Sequence, residues 1–570
     1  MTRHGAFFSS LLSSSATSLF RQTYIYRLGA PGFMPNQGST RFTRSQATNR
    51  GVTPNSFCDI LQNLSLNDDE VDIGWARPSL PRSNGTRPSI KFQAIEITES
   101  SPSLETSELH IFGVTKAGHS LLARVQGFEH YFYYPAPPGL LSRDLDPLCE
   151  YVNNALSPPT RAVPNPPLSV SSIDLRHEKT APPPVGRDTP YLRIFLARHH
   201  DIDKFQTHFF TSGKCRYRQL FATREESHEA VVPYHLRFML DTGINAMSWL
   251  KFVSNKYDIV PETEKISTCQ LEVVLQYNDE HILLCSPRDK EELFAPLRIL
   301  SYDIETHVPA DGTFPSATKD PVLQIGNMVT THGSHEPTIR AIFTLGTCSP
   351  INGAEVRSFK TEAEMLLAWS QFVNEVDPDI ITGYNITKFD TPYLLNRATA
   401  LSLPKFAHLG RVKSWRQTLP YPFMKVEEFS QCPGYNGRLL LDVFQHIREG
   451  NYSDFQGPGK SKLNYVAQVA LWDQKEDLPY KQIPILQAGT ANDRRTLAVY
   501  CLKDTYLPLQ LFTMYNLLGR ESTKAKEAHV SLNSKRKKPF LKDLSRDCRK
   551  ALREDYIIPD SKLSSLLDQR

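Results

Sequence analysis

The sequence predicts an α/β protein in which a mixed α+β domain precedes an α/β domain. Three patterns support this fold class. Apolar runs that alternate with polar residues predict strands from Ile90 onward, a capping-box helix begins at Thr361, and a strand follows that helix at 379–383. Strands followed by a helix and another strand are typical of a sheet covered by helices. With 40% hydrophobic and 22% charged residues, the composition is that of a globular chain.

Length and charge limit the function classes. A chain of 570 residues has room for about three to four domains. It contains no run of about 18 apolar residues, so no membrane partner is expected. The net charge of +4 is too small to predict nucleic-acid binding by itself. The nine cysteines include no C-x-x-C pair, which argues against a zinc ribbon and indicates a reducing compartment.

Residues 1–88 are predicted to form a disordered, basic arm rich in proline and serine. Its first 58 residues hold six arginines, nine serines, no lysine and no acidic residue. Such a composition resembles a mitochondrial transit peptide. The alternatives are a disordered basic arm and a true start at Met34.

Residues 89–290 are predicted to form the mixed domain. Ile90–Ile97 alternates as a half-buried strand does, a hairpin turn lies at Lys116–Gly118, and 235–250 combines a helix with a turn at Gly243. Aromatic, basic hairpins of this kind could bind nucleic acid. A plain β-rich core is the favoured interpretation on composition.

Two carboxylates end the apolar run Leu297–Glu305. Side chains two apart on a strand point to the same face, so Asp303 and Glu305 are predicted to lie together. Two acids at the end of a buried strand are costly unless a cation compensates them. Taken alone, the pair is most simply a solvated strand end.

Further acids follow in a recurring pattern. Asp390 opens a helix just after the predicted strand 379–383, where an aspartate is usually only a cap. Tyr500 and Asp504 are four residues apart and therefore share one helix face. Pro508 is predicted to kink or end that helix. Together, Asp303, Glu305, Asp390 and Asp504 supply the several carboxylates that hard divalent cations require.

This set resembles the proofreading 3′–5′ exonuclease of family B DNA polymerases, which has a ribonuclease-H-like fold. Three motifs carry the resemblance, which is closest to delta-type members of that family: Ser301–Glu305, Gly383–Leu394 and Tyr500–Leu509. The exonuclease domain is accordingly expected at 291–518, and 89–290 is expected to be the family's N-terminal domain. The resemblance spans about Trp75 to Leu518.

The resemblance also implies roles for the matching residues. It implies two Mg²⁺ ions, with Mn²⁺ as a plausible substitute. The acids matching Asp303, Glu305 and Asp504 would hold the metal that binds the attacking water, and Asp390 would serve the second metal. Tyr500 would orient the water, whereas Asn385 and Phe389 would line the single-stranded 3′ end. The implied partners are single-stranded or primer-template DNA, with a sliding clamp and accessory subunits doubtful for this chain.

Departures from the family limit the expectation. The three polymerase motifs of the palm region are absent from the sequence, so nucleotide addition is not expected from this chain as given. Residues 519–570 are expected to be a basic tail leading toward a palm, and 451–460 to be a retained intron or surface insertion. Residues 412–438 match a region that holds a β-hairpin. The basic cluster Ser534–Lys538 is most simply a solvated surface, with a nuclear import signal or a phosphate contact as the alternatives. The expected location is the nucleus, with the mitochondrion as the alternative that the N-terminal composition leaves open. The rival function is a catalytically idle DNA- or partner-binding fragment.

Overall fold

A computed structural model describes most of the chain from residue 57 onward. The described residues are 57–66, 74–81, 87–99, 107–156, 170–180, 182, 186–196, 198, 202, 226–286, 293–334, 336–407, 409–413, 436–450, 452–476, 478–530, 532–533 and 540–567. Most of the predicted arm, the 414–435 part of the predicted hairpin region and the basic cluster 534–538 lie outside them.

The first half of the chain builds two sheets. Seven strands form the larger sheet: β1 (Ile90–Glu99), β2 (Glu108–Thr115), β3 (Ser120–Gln126), β7 (Trp249–Phe252), β8 (Asp258–Ile259), β9 (Leu271–Gln276) and β10 (Ile282–Cys285). Their order is β10-β7-β1-β2-β3-β9-β8. Three strands, β4 (His130–Pro135), β5 (Val170–Glu178) and β6 (Thr189–Leu196), form a second antiparallel sheet. The predicted hairpin is confirmed, because β2 pairs with β3 across the turn at Gly118.

The second half contains a six-stranded mixed sheet. Its strands are β11 (Arg298–Thr306), β12 (Val322–Thr331), β13 (Ile339–Leu345), β14 (Glu355–Phe359), β15 (Ile380–Gly383) and β16 (Leu439–Asp442), in the order β14-β13-β12-β11-β15-β16. Strand β11 is central, antiparallel to β12 and parallel to β15. This mixed sheet is consistent with the predicted ribonuclease-H-like α/β fold. The boundary between 290 and 291 stays a prediction.

Twelve α-helices are described around these sheets: α1 (Phe57–Leu66), α2 (Leu145–Leu156), α3 (Tyr234–Thr242), α4 (Glu362–Val376), α5 (Asp390–Ala400), α6 (Val443–Glu449), α7 (Leu463–Leu471), α8 (Ile483–Ala488), α9 (Ala491–Met514), α10 (Leu517–Ala528), α11 (Phe540–Glu554) and α12 (Asp560–Leu567). Helix α4 begins with the predicted capping box of Thr361 and Glu364. Within the described ranges, no helix has the length and hydropathy to cross a membrane.

Part of the predicted disordered arm is ordered, which corrects the prediction for residues 57–66 and 74–81. Helix α1 buries Phe57 and Leu61, and the Phe57 ring packs 5.5 Å from that of Tyr506 on α9. Arg77 is buried in ion pairs with Asp377 and Asp379. Composition alone missed this order because the partners lie between about 300 and 450 residues further along the chain.

The described C-terminal residues pack against the N-terminal half of the chain. Helix α11 buries Leu541, Leu544 and Cys548 in the core of the seven-stranded sheet. At the start of α12, an Asp560 carboxylate oxygen accepts a hydrogen bond from the Ala230 N–H at 2.9 Å. These helices therefore complete the hydrophobic core of the N-terminal half.

Two local predictions concern Pro508 and residues 451–460. Helix α9 does not end at Pro508 but runs through it, with buried residues on both sides, so of the two predicted effects the helix end is excluded. Where 451–460 is described, most of its side chains are exposed, which agrees with a surface insertion, and it is anchored to the fold by two aromatic residues. Phe455 is buried and Tyr452 packs 5.1 Å from the ring of Tyr515.

Candidate active site

Strand β11 and helix α9 bring the first acids together. Asp303 and Glu305 lie two residues apart on β11, on the face covered by α9. The Ser301 hydroxyl on the same face donates to the Thr505 carbonyl of α9 at 2.8 Å. The helix can approach this closely because Gly326 on β12, the register partner of Asp303, has no side chain.

Asp390 lies beside this pair, after the loop that follows the neighbouring strand β15. It is the first residue of α5 and is almost fully buried. One of its carboxylate oxygens accepts from the backbone N–H of Ile304, the residue between Asp303 and Glu305, at 3.1 Å. The prediction that helix α5 places an acid beside the β11 pair therefore agrees with the structure.

The loop before α5 is held by Asp442. Its carboxylate accepts from the backbone N–H groups of Asn385 at 2.9 Å and Thr387 at 3.0 Å. Asn385 has a φ of +68°, a left-handed conformation that asparagine tolerates better than most residues. Its buried side-chain oxygen has no hydrogen-bond partner among the described residues.

Aromatic side chains lie next to the acids. Phe389 is half-buried at the start of α5, and its ring lies 5.4 Å from that of Phe314 in a T-shaped arrangement. Phe314 is 77% exposed. An exposed aromatic edge of this kind offers a stacking surface for a nucleobase.

Tyr500, Asp504 and Lys475 form a connected polar group. Tyr500 and Asp504 share one face of α9, as predicted, and the tyrosine hydroxyl donates to the Asp504 carboxylate. The Lys475 ammonium group forms an ion pair with Asp504 and a hydrogen bond with Tyr500. Lys475, which lies in the loop after α7, therefore partly neutralises the charge of the acid cluster.

Burial raises the pKa values of all four acids, and repulsion between acids adds to the rise for Asp303, Glu305 and Asp390. Burial and the negative charges of Asp504 and Asp390 raise the pKa of Glu305 to about 8. The positive charge of Lys475 opposes this rise. Burial raises the pKa of Asp390 to about 7, although the Ile304 N–H opposes this rise. The pKa of Asp303 is well above its ordinary value, through burial and then repulsion from Asp390 and Asp504. The pKa of Asp504 is also raised by burial, although Lys475 opposes this rise.

The residues present fit a divalent cation. Ligand atoms of Asp303, Glu305 and Cys501 all lie within 4.8 Å of one another. Asp390 and Asp504 lie outside that tight group, but their charges act on it. In addition, one buried carboxylate oxygen of Asp504 has no hydrogen-bond partner within the described part of the chain. Clustered acids with raised pKa values and an unpartnered carboxylate oxygen are typical of a cation-binding site without its cation.

Sequence reasoning missed four residues near this site: Phe314, Asp442, Lys475 and Cys501. Only Cys501 had a local signal, since it lies within the Tyr500–Asp504 motif and three residues before an acid. The others come from loops or strand ends whose position depends on the tertiary fold. Neither their spacing nor their periodicity marks them.

Comparison with known proteins defines the class of this domain. Residues 225–466 match the protein family described as DNA polymerase family B, exonuclease domain. The fold is also similar to that of a family B DNA polymerase from the hyperthermophilic archaeon Pyrobaculum calidifontis. The TM-score is 0.55 at 19% identity, over 82% of this chain and 51% of that one. The chain carries an exonuclease domain of DNA polymerase family B, as the motifs predicted.

Within that family, the similar curated proteins are DNA polymerase delta catalytic subunits. The chain is 34% identical over 538 residues to the one from Schizosaccharomyces pombe, covering 90% of this chain and 47% of the relative. It is 36% identical over 471 residues to the one from Dictyostelium discoideum, covering 80% of this chain and 41% of the relative. The chain thus spans about half the length of the curated relatives it matches.

The raised pKa of Glu305 predicts that stability falls as pH rises when no divalent cation is bound. Between its ordinary pKa of 4.5 and about 8, the folded protein holds a proton that the unfolded chain has lost. Within this interval, each rise of one pH unit lowers the free energy of unfolding by about 1.4 kcal/mol. In chelator at pH 8, Glu305→Gln should therefore be more stable than the wild type by more than about 1 kcal/mol.

Urea unfolding of both proteins at pH 5 and pH 8 tests this expectation. The difference should shrink toward pH 5, and millimolar Mg²⁺ at pH 8 should stabilise the wild type more than the variant. A Glu305→Gln protein that is less stable than the wild type at pH 8 in chelator would contradict the expected repulsion.

Proposed function

We propose that this chain hydrolyses the 3′-terminal nucleotide of single-stranded or frayed DNA, as a delta-like proofreading exonuclease. The observation that carries the proposal is the convergence of four acids with raised pKa values, three of them buried, beside an aromatic edge. Asp303, Glu305, Asp390 and Asp504 would hold two Mg²⁺ ions, with Mn²⁺ as a substitute. When bound, these ions would neutralise the reacting phosphodiester and activate water near neutral pH.

The chain's own side chains have separate tasks in this proposal. The half-buried Phe389 ring and the exposed Phe314 ring would receive a terminal base by stacking, a contact worth about 1–3 kcal/mol that tolerates any base. Asn385, held by Asp442, would present its unpartnered side-chain oxygen to the 3′ end. Tolerance of any base suits an enzyme that must accept every mismatched terminus.

Tyr500 and Lys475 would orient and balance the site. Burial, then the charges of Asp504 and Glu305, raise the pKa of the Tyr500 hydroxyl well above its ordinary value, so it stays a hydrogen-bond donor. Lys475 keeps its proton beside Asp504, because that carboxylate raises the lysine pKa against the effect of burial. The two groups would thus fix the Asp504 carboxylate and a nearby water molecule.

The test uses the purified chain with 5′-labelled single-stranded DNA, in Mg²⁺ and in chelator. We expect a ladder that shortens from the 3′ end in Mg²⁺ only, and faster shortening of a mismatched than of a paired primer end. Retarded DNA without shortening would favour the rival proposal of an idle binding fragment. The clamp, the accessory subunits, a nuclear location and the domain limits 89–290 and 291–518 stay predictions.

The contact between α9 and β12 predicts a strong effect of one methyl group. A Cβ atom at Gly326 would lie 2.5 Å from the Thr505 hydroxyl and 3.0 Å from the Cys501 carbonyl. Helix α9 must then shift, and Tyr500 and Asp504 shift with it. Because a displacement of about 1 Å costs about 10²-fold in rate, Gly326→Ala should lower 3′ nucleotide removal by about that factor.

Gly74→Ala provides the matched control, since a Cβ atom there meets nothing within 4 Å. Single-turnover rates of both variants, at saturating DNA, check the expectation. A Gly326→Ala rate within about threefold of the Gly74→Ala rate would show that the helix position is not critical.

A further inference from the structure

A thiol lies among the carboxylates of the candidate site. Cys501 is on the face of α9 that packs against β11 and β12, and its side chain is fully buried. Its sulfur lies 3.6 Å from the Asp303 carbonyl oxygen. The sulfur and one carboxylate oxygen each of Asp303 and Glu305 lie within 4.8 Å of one another. Three ligand atoms of two chemical kinds therefore share one small volume.

A second observation points to a cation in the same place. Asp504 lies three residues after Cys501 and thus on the same side of α9. It is 4% exposed, and one of its carboxylate oxygens has no hydrogen-bond partner among the described residues. Its negative charge raises the pKa values of Asp303 and Glu305, so it lies close enough to repel both. Lys475 pairs with the other oxygen of Asp504, but three acids share this volume with that one lysine, which favours a further positive charge beside the unpartnered oxygen.

The donor set distinguishes between cations. Mg²⁺ prefers oxygen ligands alone, whereas Zn²⁺ and Cd²⁺ gain from a thiolate. A coordinating cation stabilises the thiolate form of a cysteine, so the sulfur of Cys501 can act as a ligand once such a cation is present.

We propose that Asp303, Glu305 and Cys501 form a mixed carboxylate–thiolate site that binds a thiophilic divalent cation in preference to Mg²⁺. On binding, the sulfur–hydrogen bond breaks, the proton leaves to solvent, and a sulfur–metal bond forms without any change in oxidation state. Such a cation occupies the same two carboxylates that the proposed exonuclease requires. The proposal shares those carboxylates with the proposed function, and its consequence is inhibition of Mg²⁺-dependent hydrolysis by trace Zn²⁺ or Cd²⁺.

The direct test is a Cd²⁺ titration of the full chain, followed by the thiolate-to-Cd²⁺ charge-transfer absorption. We expect one saturating band in the wild type and in Cys348→Ser, a matched control at a cysteine elsewhere in the fold. Cys501→Ser should lose the band, and Glu305→Gln should bind Cd²⁺ at least about tenfold more weakly. A band of equal size and affinity in Cys501→Ser would overturn the proposal.

A measurement on the wild type guards against a variant that fails to fold. Cd²⁺ should displace protein-bound Mn²⁺, which electron paramagnetic resonance detects as free Mn²⁺. Bound Mn²⁺ that Cd²⁺ does not displace would overturn the mixed site. A protein that binds no Mn²⁺ would contradict the proposed metal-dependent exonuclease, and the Cd²⁺ band then decides the mixed site independently.

Discussion

A protein in which Asp303 and Glu305 are both alanine should remove 3′ nucleotides at least about 10³-fold more slowly than the wild type. Groups that stabilise charge in a transition state contribute about 10² to 10³ each. The two acids left behind cannot replace the pair, because Asp504 is already paired with Lys475 and Asp390 accepts from the backbone of Ile304. Initial rates on 5′-labelled single-stranded DNA in Mg²⁺ measure the loss.

Loss of folding is not expected to contribute to that loss of rate. The two alanines remove carboxylates that repel Asp390 and Asp504, so the variant should be at least as stable as the wild type in chelator at pH 8. Asp279→Ala/Glu280→Ala is the control, because it removes the same charge from exposed positions. A double variant within tenfold of the wild-type rate would exclude Asp303 and Glu305 from the chemistry.

Sequence patterns predicted those parts of the site that depend on local geometry. Alternation along a strand placed Asp303 and Glu305 on one face, and helical spacing placed Tyr500 beside Asp504. Both relations hold because they follow from the backbone of a single element. The capping box of Thr361 was predictable for the same reason.

What the sequence could not predict depends on contacts between distant elements. Lys475 reaches Asp504 only because the loop after α7 packs beside α9, and Asp442 holds Asn385 only because β15 and β16 are neighbours. Pro508 continues a helix against its local preference, since the surrounding core outweighs one missing N–H. In each case tertiary packing overrides or supplements the local signal.

A second large effect is expected where segments from both halves of the chain meet in a buried ion network. Asp377 and Asp379 pair with three arginines, and all five side chains are at most 9% exposed. The network partners are Arg77, Arg411 and Arg438. Burial alone would raise the pKa of Asp377, but the three arginines hold it well below its ordinary value. The carboxylate is therefore ionised at neutral pH.

Asp377→Asn should lower the free energy of unfolding by about 3–5 kcal/mol, because it leaves buried arginine charge uncompensated. One Arg438 nitrogen already has no hydrogen-bond partner within the described residues, so the network offers no spare acceptor to replace the lost carboxylate. Asparagine keeps the left-handed backbone that residue 377 adopts at a φ of +48°, so the effect comes from the lost charge and from one lost hydrogen-bond acceptor.

Urea unfolding at pH 7 measures the loss. Asp543→Asn, which removes one partner of the exposed Arg546 pair on α11, should cost less than about 1 kcal/mol and serves as the control. Because the folded pKa of Asp377 is depressed, its contribution is fully present above its ordinary pKa of 3.8 and declines only as pH falls further. Equal costs for the two variants at pH 7 would mean that the buried charges are hydrated, and that the network does not hold the two halves of the chain together.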